Sequence, residues 1–226
     1  MFASFKGWIG ERATSLGLFL TLDRKVYRRI DDLILVTADG GTTQIDHVIV
    51  SRYGIFVIET KNMKGWIFGS EHDACWTQVN FGRKDRFQNP IRQNHRHCLA
   101  IAEKLGVDRE TVHSVVFFIG DCRFQTEIPN GVLTHGLCGY IRRYGLRCFV
   151  DEEVERFEAR LREIKQYSRF TKADHIHSLR ERYESAETCP KCGAALLPRV
   201  AKKGANAGGR FLGCSAYPKC RYTRDA

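Results

Sequence analysis

The sequence predicts an α/β protein with a mixed central sheet, followed by a small cysteine-bound module. Three observations carry this prediction. Residues 44–50 and 54–61 are adjacent apolar runs rich in β-branched and aromatic residues, joined by a short turn at Arg52 and Tyr53, the pattern of a hairpin of buried strands. A third apolar run, residues 114–119, follows a helix-patterned segment, and such a crossover delivers a parallel strand. Four cysteines in two close pairs, Cys189/Cys192 and Cys214/Cys220, end the chain.

In chain order, residues 4–20 read as a helix with Trp8, Ile9, Ala13 and Leu16 on one stripe. Residues 33–37 read as a strand and 38–41 as a Gly-containing turn. Residues 43–51, 54–61 and 65–69 then complete an antiparallel meander, and 75–80 add an edge. Arg83, Lys84 and Arg86, before Gln88, read as a basic loop near the candidate site described below, equally suited to gripping phosphate or to simple solvation. Asn89-Pro90 is a helix-start signal, with Pro at the first helical position. The helix it opens, 91–105, is expected to turn Ile91, His95, Cys98, Leu99, Ala102 and Leu105 inward. After the strand 114–119, residues 132–133 form a last short strand, and 136–145 and 151–166 read as helices. Residues 172–185 are charged and helical and lead to the cysteine module. The implied organisation is a domain over 1–150, a helical extension over 151–185 and a module over 186–226.

The apolar content of 43% is ordinary for a globular protein, and no run approaches the length of a membrane span. The N-terminus lacks a signal-peptide pattern. A cytoplasmic location with reduced cysteines is therefore expected, without a membrane partner. Cys75, Cys98, Cys122, Cys138 and Cys148 are scattered and read as free thiols.

Asp46, Glu59 and Lys61 sit on strands whose other residues are mostly apolar. Residues i and i+2 of a strand share a face, so Glu59 and Lys61 point together. A two-residue loop at Arg52 and Tyr53 puts Ser51 opposite Gly54, and hence Asp46 opposite Glu59. Opposed like charges repel unless a cation lies between them, and hard oxygen ligands suit Mg²⁺ or Mn²⁺. From spacing alone, a buried ion pair fits as well as a metal site. His47, on the opposite strand face, reads as a core histidine.

Residues 45–62, reading Ile-Asp-His-Val-Ile-Val-Ser-Arg-Tyr-Gly-Ile-Phe-Val-Ile-Glu-Thr-Lys-Asn, resemble the core of the NERD (nuclease-related domain) family. That family is grouped with the PD-(D/E)xK restriction-endonuclease-like superfamily. Gly10-Glu11, residues 64–69, Trp76, Asn89-Pro90 and Gln93-Asn94 resemble further family elements, so the likeness covers about residues 5–120. It implies a restriction-endonuclease-like α-β-β-β-α-β core. It also implies Asp46 and Glu59 as metal ligands with the Thr60 carbonyl, Lys61 as the catalytic lysine, and Glu11 and Gln93 as accessory catalytic residues. Glu11 also fits an exposed position of an amphipathic helix, and Gln93 a simple first-turn residue.

The terminal cysteines form C-x₂-C, a 21-residue spacer and C-x₅-C, the spacing of one structural Zn²⁺ site held by Cys189, Cys192, Cys214 and Cys220. Two disulfides are the alternative, but a segment of about 40 residues needs more than its own core to fold. Residues 189–193 and 209–223 resemble the C-terminal C4 zinc ribbon of bacterial type IA topoisomerases, which implies single-stranded DNA binding. Residues 186–226 hold eight Lys/Arg against two acids, so +6 of the chain's +10 lies here. Lys202, Lys203, Arg210, Lys219 and Arg221, interleaved with Phe211, Tyr217 and Tyr222, suit phosphates and bases respectively. The alternative is a solvated basic surface in which Phe211 and Tyr217 form the small core.

The combined expectation is a Mg²⁺-dependent (or Mn²⁺-dependent) deoxyribonuclease with a ribbon for single-stranded or branched DNA. The rivals are a non-catalytic DNA-binding or repair-accessory protein retaining a nuclease fold, and an RNA-processing enzyme.

Overall fold

The computed structural model describes residues 21–37, 41–168, 174, 189, 194–201, 207–218 and 220–225. The chain forms two compact units, Met1–Leu33 with Ile45–Tyr167, and Ile34–Gln44 with Ser168–Ala226. The helices expected at 4–20 and 172–185 lie almost wholly outside the described residues.

The strands β1 (Arg28–Val36), β2 (Thr42–Ser51) and β3 (Gly54–Asn62) lead into a five-stranded sheet. Its order is β1-β2-β3-β7-β9, where β7 is Val112–Ile119 and β9 Val132–Leu133. β2 and β3 are antiparallel, with Ser51 opposite Gly54 and His47 opposite Ile58. This is the register the two-residue turn requires. β3 then runs parallel to β7, from Ile55 beside Val112 to Asn62 beside Ile119. The result is a mixed central sheet buried on both faces. Alternation along β7 divides the core. Val115 and Phe117 join Ile49, Phe56, Ile58, Leu137 and Ile141 in one cluster. Val116 and Phe118 join Ile67, Trp76 and Val132 in the other.

One expected strand goes elsewhere. β4 (Gly65–Phe68) does not extend the central meander. It belongs to a second sheet ordered β6-β5-β4-β8, with β5 at Cys75–Asn80, β6 at Arg83–Gln88 and β8 at Cys122–Phe124. Two physical reasons apply. β7 takes the free edge of β3 because its apolar run fills both faces of the sheet. Gly65, at φ +80°, turns the chain out of β3, and a Cβ there would lie 2.3 Å from the Val79 carbonyl oxygen. Arg83, Lys84 and Arg86 are correspondingly strand residues of β6 paired with β5, not a loop.

The helix α1 (Pro90–Leu105) starts as its sequence signal requires, with the Asn89 side chain accepting from the Ile91 N–H at 2.9 Å. The Asn89 amide also donates to the carbonyls of Ser70, Glu71 and Asp73, tying the preceding loop to the helix start. The buried face of α1 differs from the expectation. His95 and Leu99 are exposed, whereas Asn94, His97, Cys98 and Ile101 are buried. Asn94 Nδ2 lies 2.9 Å from the Val57 carbonyl, 2.9 Å from Ser114 Oγ and 3.1 Å from the Val115 carbonyl. A polar residue therefore pins α1 across β3 and β7, and buried amides are retained only when so bonded. The helices α2 (Leu137–Arg142) and α3 (Asp151–Tyr167) follow. No described helix is long and apolar enough to cross a membrane.

In the second unit, β10 (Leu196–Val200), β11 (Arg210–Cys214) and β12 (Thr223–Asp225) form an antiparallel sheet. Cys189, Leu196, Cys214 and Cys220 are its buried cluster, with Leu212 and Tyr222 packed against it. Tyr217 is 60% exposed, so it is not the core residue considered above.

Candidate metal centres

The first centre lies where the described ladder between β2 and β3 ends. His47–Ile58 is its last pair, and Asp46 and Glu59 come next in register. The Asp46 carboxylate turns to the β3 backbone instead of lying idle. Its Oδ2 accepts from the Thr60 N–H at 2.8 Å and from Thr60 Oγ1 at 2.7 Å. Glu59 is 4% exposed. Lys61 Nζ donates to Glu59 Oε1 at 2.6 Å and to Gln93 Oε1 at 3.0 Å. The other Glu59 oxygen, Oε2, lies 3.3 Å from His97 Nε2. Gln93 and His97 come from consecutive turns of α1, four residues apart on one face.

The two carboxylates are held in opposite ways. Burial, and then the Glu59 charge, push the Asp46 carboxyl above the usual carboxylate range, and the Thr60 hydrogen bonds offset this only partly. Burial also works to raise Glu59. The His97 hydrogen bond and the Lys61 ammonium outweigh it and hold Glu59 below its ordinary value. A buried carboxylate, Glu59, and a half-buried one, Asp46, thus act on each other's charge, with one ammonium, Lys61, bonded to Glu59, an excess of negative charge in a poorly solvated site. A hard divalent cation fits this donor set.

The structure brings Asp46, Glu59, Thr60, Lys61 and Gln93 together. Glu11 lies outside the described residues. Sequence reading missed His97 and the Thr60 side chain. The spacing of Gln93 and His97 was a usable signal, obscured by assigning the inward face to His95. His47 is a buried structural histidine, with Nδ1 2.8 Å from Asp31 Oδ1.

The second centre is in the C-terminal unit. The sulfurs of Cys189, Cys214 and Cys220 lie mutually within 4.8 Å, all buried. Cys189 Sγ and Cys220 Sγ are 3.7 Å apart. That is far beyond a disulfide bond and equals the roughly 3.8 Å edge of a tetrahedron with ~2.3 Å Zn–S bonds. The Ala216 N–H points at Cys214 Sγ from 3.4 Å, which suits a thiolate. Cys192 lies outside the described residues, as do Lys202, Lys203 and Lys219. A pocket of about 360 Å³ beside the cluster is lined by Arg199, Phe211, Tyr217, Arg221 and Tyr222, among others. Arg210 is exposed at the start of β11. Metal analysis of protein purified without chelator is expected to find one zinc per chain, and Cys214→Ser to lose it. Retention of full zinc by Cys214→Ser would exclude this cluster.

The family profile for the nuclease-related domain matches residues 6–119. The profile for the topoisomerase DNA-binding C4 zinc finger matches residues 186–226. An uncharacterized protein of Bacillus anthracis is 45% identical over 97 residues, 43% of this chain and 45% of the relative. The uncharacterized protein YrdD of Escherichia coli is 55% identical over 38 residues, 17% of this chain and 18% of its own. DNA topoisomerase 1 of Methanocaldococcus jannaschii is 55% identical over 40 residues, 18% of this chain and 5% of its own. The chain thus spans less than half the length of these curated relatives. No solved structure matches it.

Proposed function

Because the chain belongs to the nuclease-related domain family, we propose that it is a divalent-metal-dependent nuclease that hydrolyses phosphodiester bonds of DNA. The observation that carries this reading is the Asp46–Glu59–Lys61 cluster, in which Glu59 is buried and is joined to α1 through Lys61 and Gln93 and by the approach of His97. The order β1-β2-β3-α1-β7 supports a restriction-endonuclease-like core over 1–150. A helical extension over 151–185 and the ribbon over 186–226 complete the proposed organisation.

In this reading Asp46, Glu59 and the Thr60 carbonyl hold Mg²⁺ or Mn²⁺, with Glu11 as an accessory acid. The cation supplies Lewis acidity toward the phosphate and the attacking water. Each side chain has a derived task. Thr60 fixes the Asp46 rotamer through two hydrogen bonds to one oxygen, Oδ2, so that Oδ1 would be the oxygen offered to a cation. His97 holds Glu59 Oε2 and so aims the carboxylate. Lys61 orients the water and offsets charge gathering on the phosphate, and Gln93 keeps its ammonium in place. The ribbon delivers single-stranded or branched DNA: Arg199, Arg210 and Arg221 meet phosphates, and Phe211, Tyr217 and Tyr222 present faces for bases.

Calorimetric titration with Mg²⁺ and Mn²⁺ tests the reading directly. Wild type is expected to bind one cation at this centre, and Asp46→Ala to bind none there. His97→Ala should weaken binding roughly 10- to 100-fold, the range for residues that orient a metal ligand. The pH dependence follows from Asp46. Its raised value means that protons compete with the cation at a higher pH than for an ordinary carboxylate of pKa about 3.9. Affinity should therefore fall on acidification while Glu59, held low, stays ionised. If wild type binds no cation, the chain is a DNA-binding protein that keeps a nuclease-like scaffold.

A further inference from the structure

The outer face of the second sheet has no role in either centre. Its inner face packs Ile67, Trp76 and Phe124 into the core. Alternation then directs Trp66, Thr77, Val79, Lys84, Arg86 and Arg123 outward. Trp66 is 53% exposed although its neighbour Ile67 is fully buried. It pairs with Val79 on one side and Arg123 on the other, and Val79 pairs with Lys84. An aromatic ring and cations thus lie side by side across neighbouring strands. Lys84, Arg86 and Arg123 are all exposed. No Asp or Glu occupies an outward strand position on this face. Asp85 points the other way and is bound by Arg83 at 2.9 Å.

The tip of this sheet is more unusual. Asn80 pairs with Arg83, so Phe81 and Gly82 form a two-residue hairpin loop. Both have positive φ, +48° and +78°, as a type I′ turn demands. Gly suits the second position. The first favours Asn, Asp or Gly, and a bulky residue there is an outlier. Phe81 is nonetheless at that position, and it is 100% exposed. It lies two residues beyond Val79, roughly 7 Å further along the strand from the row that holds Trp66. Neither local conformation nor core packing accounts for a phenylalanine at this position. A ligand that stacks on aromatic rings and carries negative charge does.

We propose that this face is a second single-stranded nucleic-acid site, on the nuclease-related unit itself. Phe81 and Trp66 stack unpaired bases, and Lys84, Arg86 and Arg123 meet the phosphates between them. The inference rests on the reading of DNA as substrate and deepens it, because it gives the nuclease-related unit its own hold on a single strand.

The test uses the full-length chain without added Mg²⁺ and a labelled single-stranded oligothymidylate. Phe81→Asn is the informative variant, because Asn suits the turn better than Phe. Its melting temperature should hold or rise while oligonucleotide affinity falls about tenfold, within the range for one lost base–aromatic stack. Lys84→Ala/Arg86→Ala should lower the log–log salt slope by about 0.7 per lost phosphate contact. Tryptophan fluorescence should be quenched on binding, and Trp66→Phe should remove that quench. The ribbon contains no tryptophan to imitate it. Unchanged affinity in Phe81→Asn, or quenching that survives Trp66→Phe, would overturn the proposal. So would variants that lose binding only to anionic vesicles. If the chain proves not to cleave DNA but these variants still lose oligonucleotide binding, the nuclease reading fails and this site stands.

Discussion

Glu59→Gln is expected to lower Mg²⁺-dependent DNA cleavage by at least on the order of 10²-fold, the scale seen when one transition-state contact is removed. The argument is local. Lys61 donates to Glu59 Oε1, and His97 Nε2 lies 3.3 Å from Oε2. Glutamine keeps the size, but only one of its two terminal atoms accepts, so the pair of negative oxygens between Lys61 and His97 is lost. The charge that balances Lys61 disappears with it. DNA affinity should stay the same or rise slightly, since repulsion toward phosphate drops. Cleavage of labelled single-stranded, duplex, forked and RNA substrates with Mg²⁺ and Mn²⁺ reads the first effect, and anisotropy titration the second. Circular dichroism controls for the stability lost at a buried unpaired donor, about 1–3 kcal/mol. Undiminished cleavage would place the activity in another site or a contaminant.

Removing residues 186–226 is expected to do the reverse. It takes away eight basic and two acidic residues, together with the aromatic-lined pocket. Affinity for single strands should fall by orders of magnitude, and its log–log salt slope should flatten by about 0.7 per lost phosphate contact. Cleavage should persist at saturating DNA, because Asp46, Glu59, Lys61, Gln93 and His97 all precede residue 98. Loss of cleavage at saturating DNA would make the ribbon part of the active architecture and not a tether. The thiolate cluster offers a reversible version of the experiment. Stripping zinc should reproduce the binding defect, since a module this small depends on its metal to fold.

Much of the first centre was legible because strand geometry is local. The turn at Arg52 and Tyr53 sets the register, and period-two alternation puts Glu59 and Lys61 on one face. Helix α1 was harder to read. A rule that turns apolar residues inward selects Leu99, yet the helix buries Asn94 and His97 because the sheet offers them carbonyls and a carboxylate. The expected pattern failed where the helix face meets the candidate metal centre, and such sites are where local rules are least binding.

The sequence by itself determined the strands β2, β3, β4, β5, β7 and β9, the β2–β3 register, the α1 start at Asn89-Pro90 and the grouping of Cys189, Cys214 and Cys220. Each depends on residues close in the chain, through turn length, capping or the reach of neighbouring thiols. The strands β6 and β8 and those of the C-terminal module were not read from it. Only the tertiary structure decided which strand completes the central sheet, and it chose β7 over β4. A strand's own pattern reports that it has a buried face, not which partner buries it; that choice is set by competition for the free edge of β3. The same competition brought His97 to Glu59. It also sent β4 to a second sheet, where Trp66 pairs with Arg123 on one side and with Val79 on the other, Val79 pairs in turn with Lys84, and Phe81 stands at the tip.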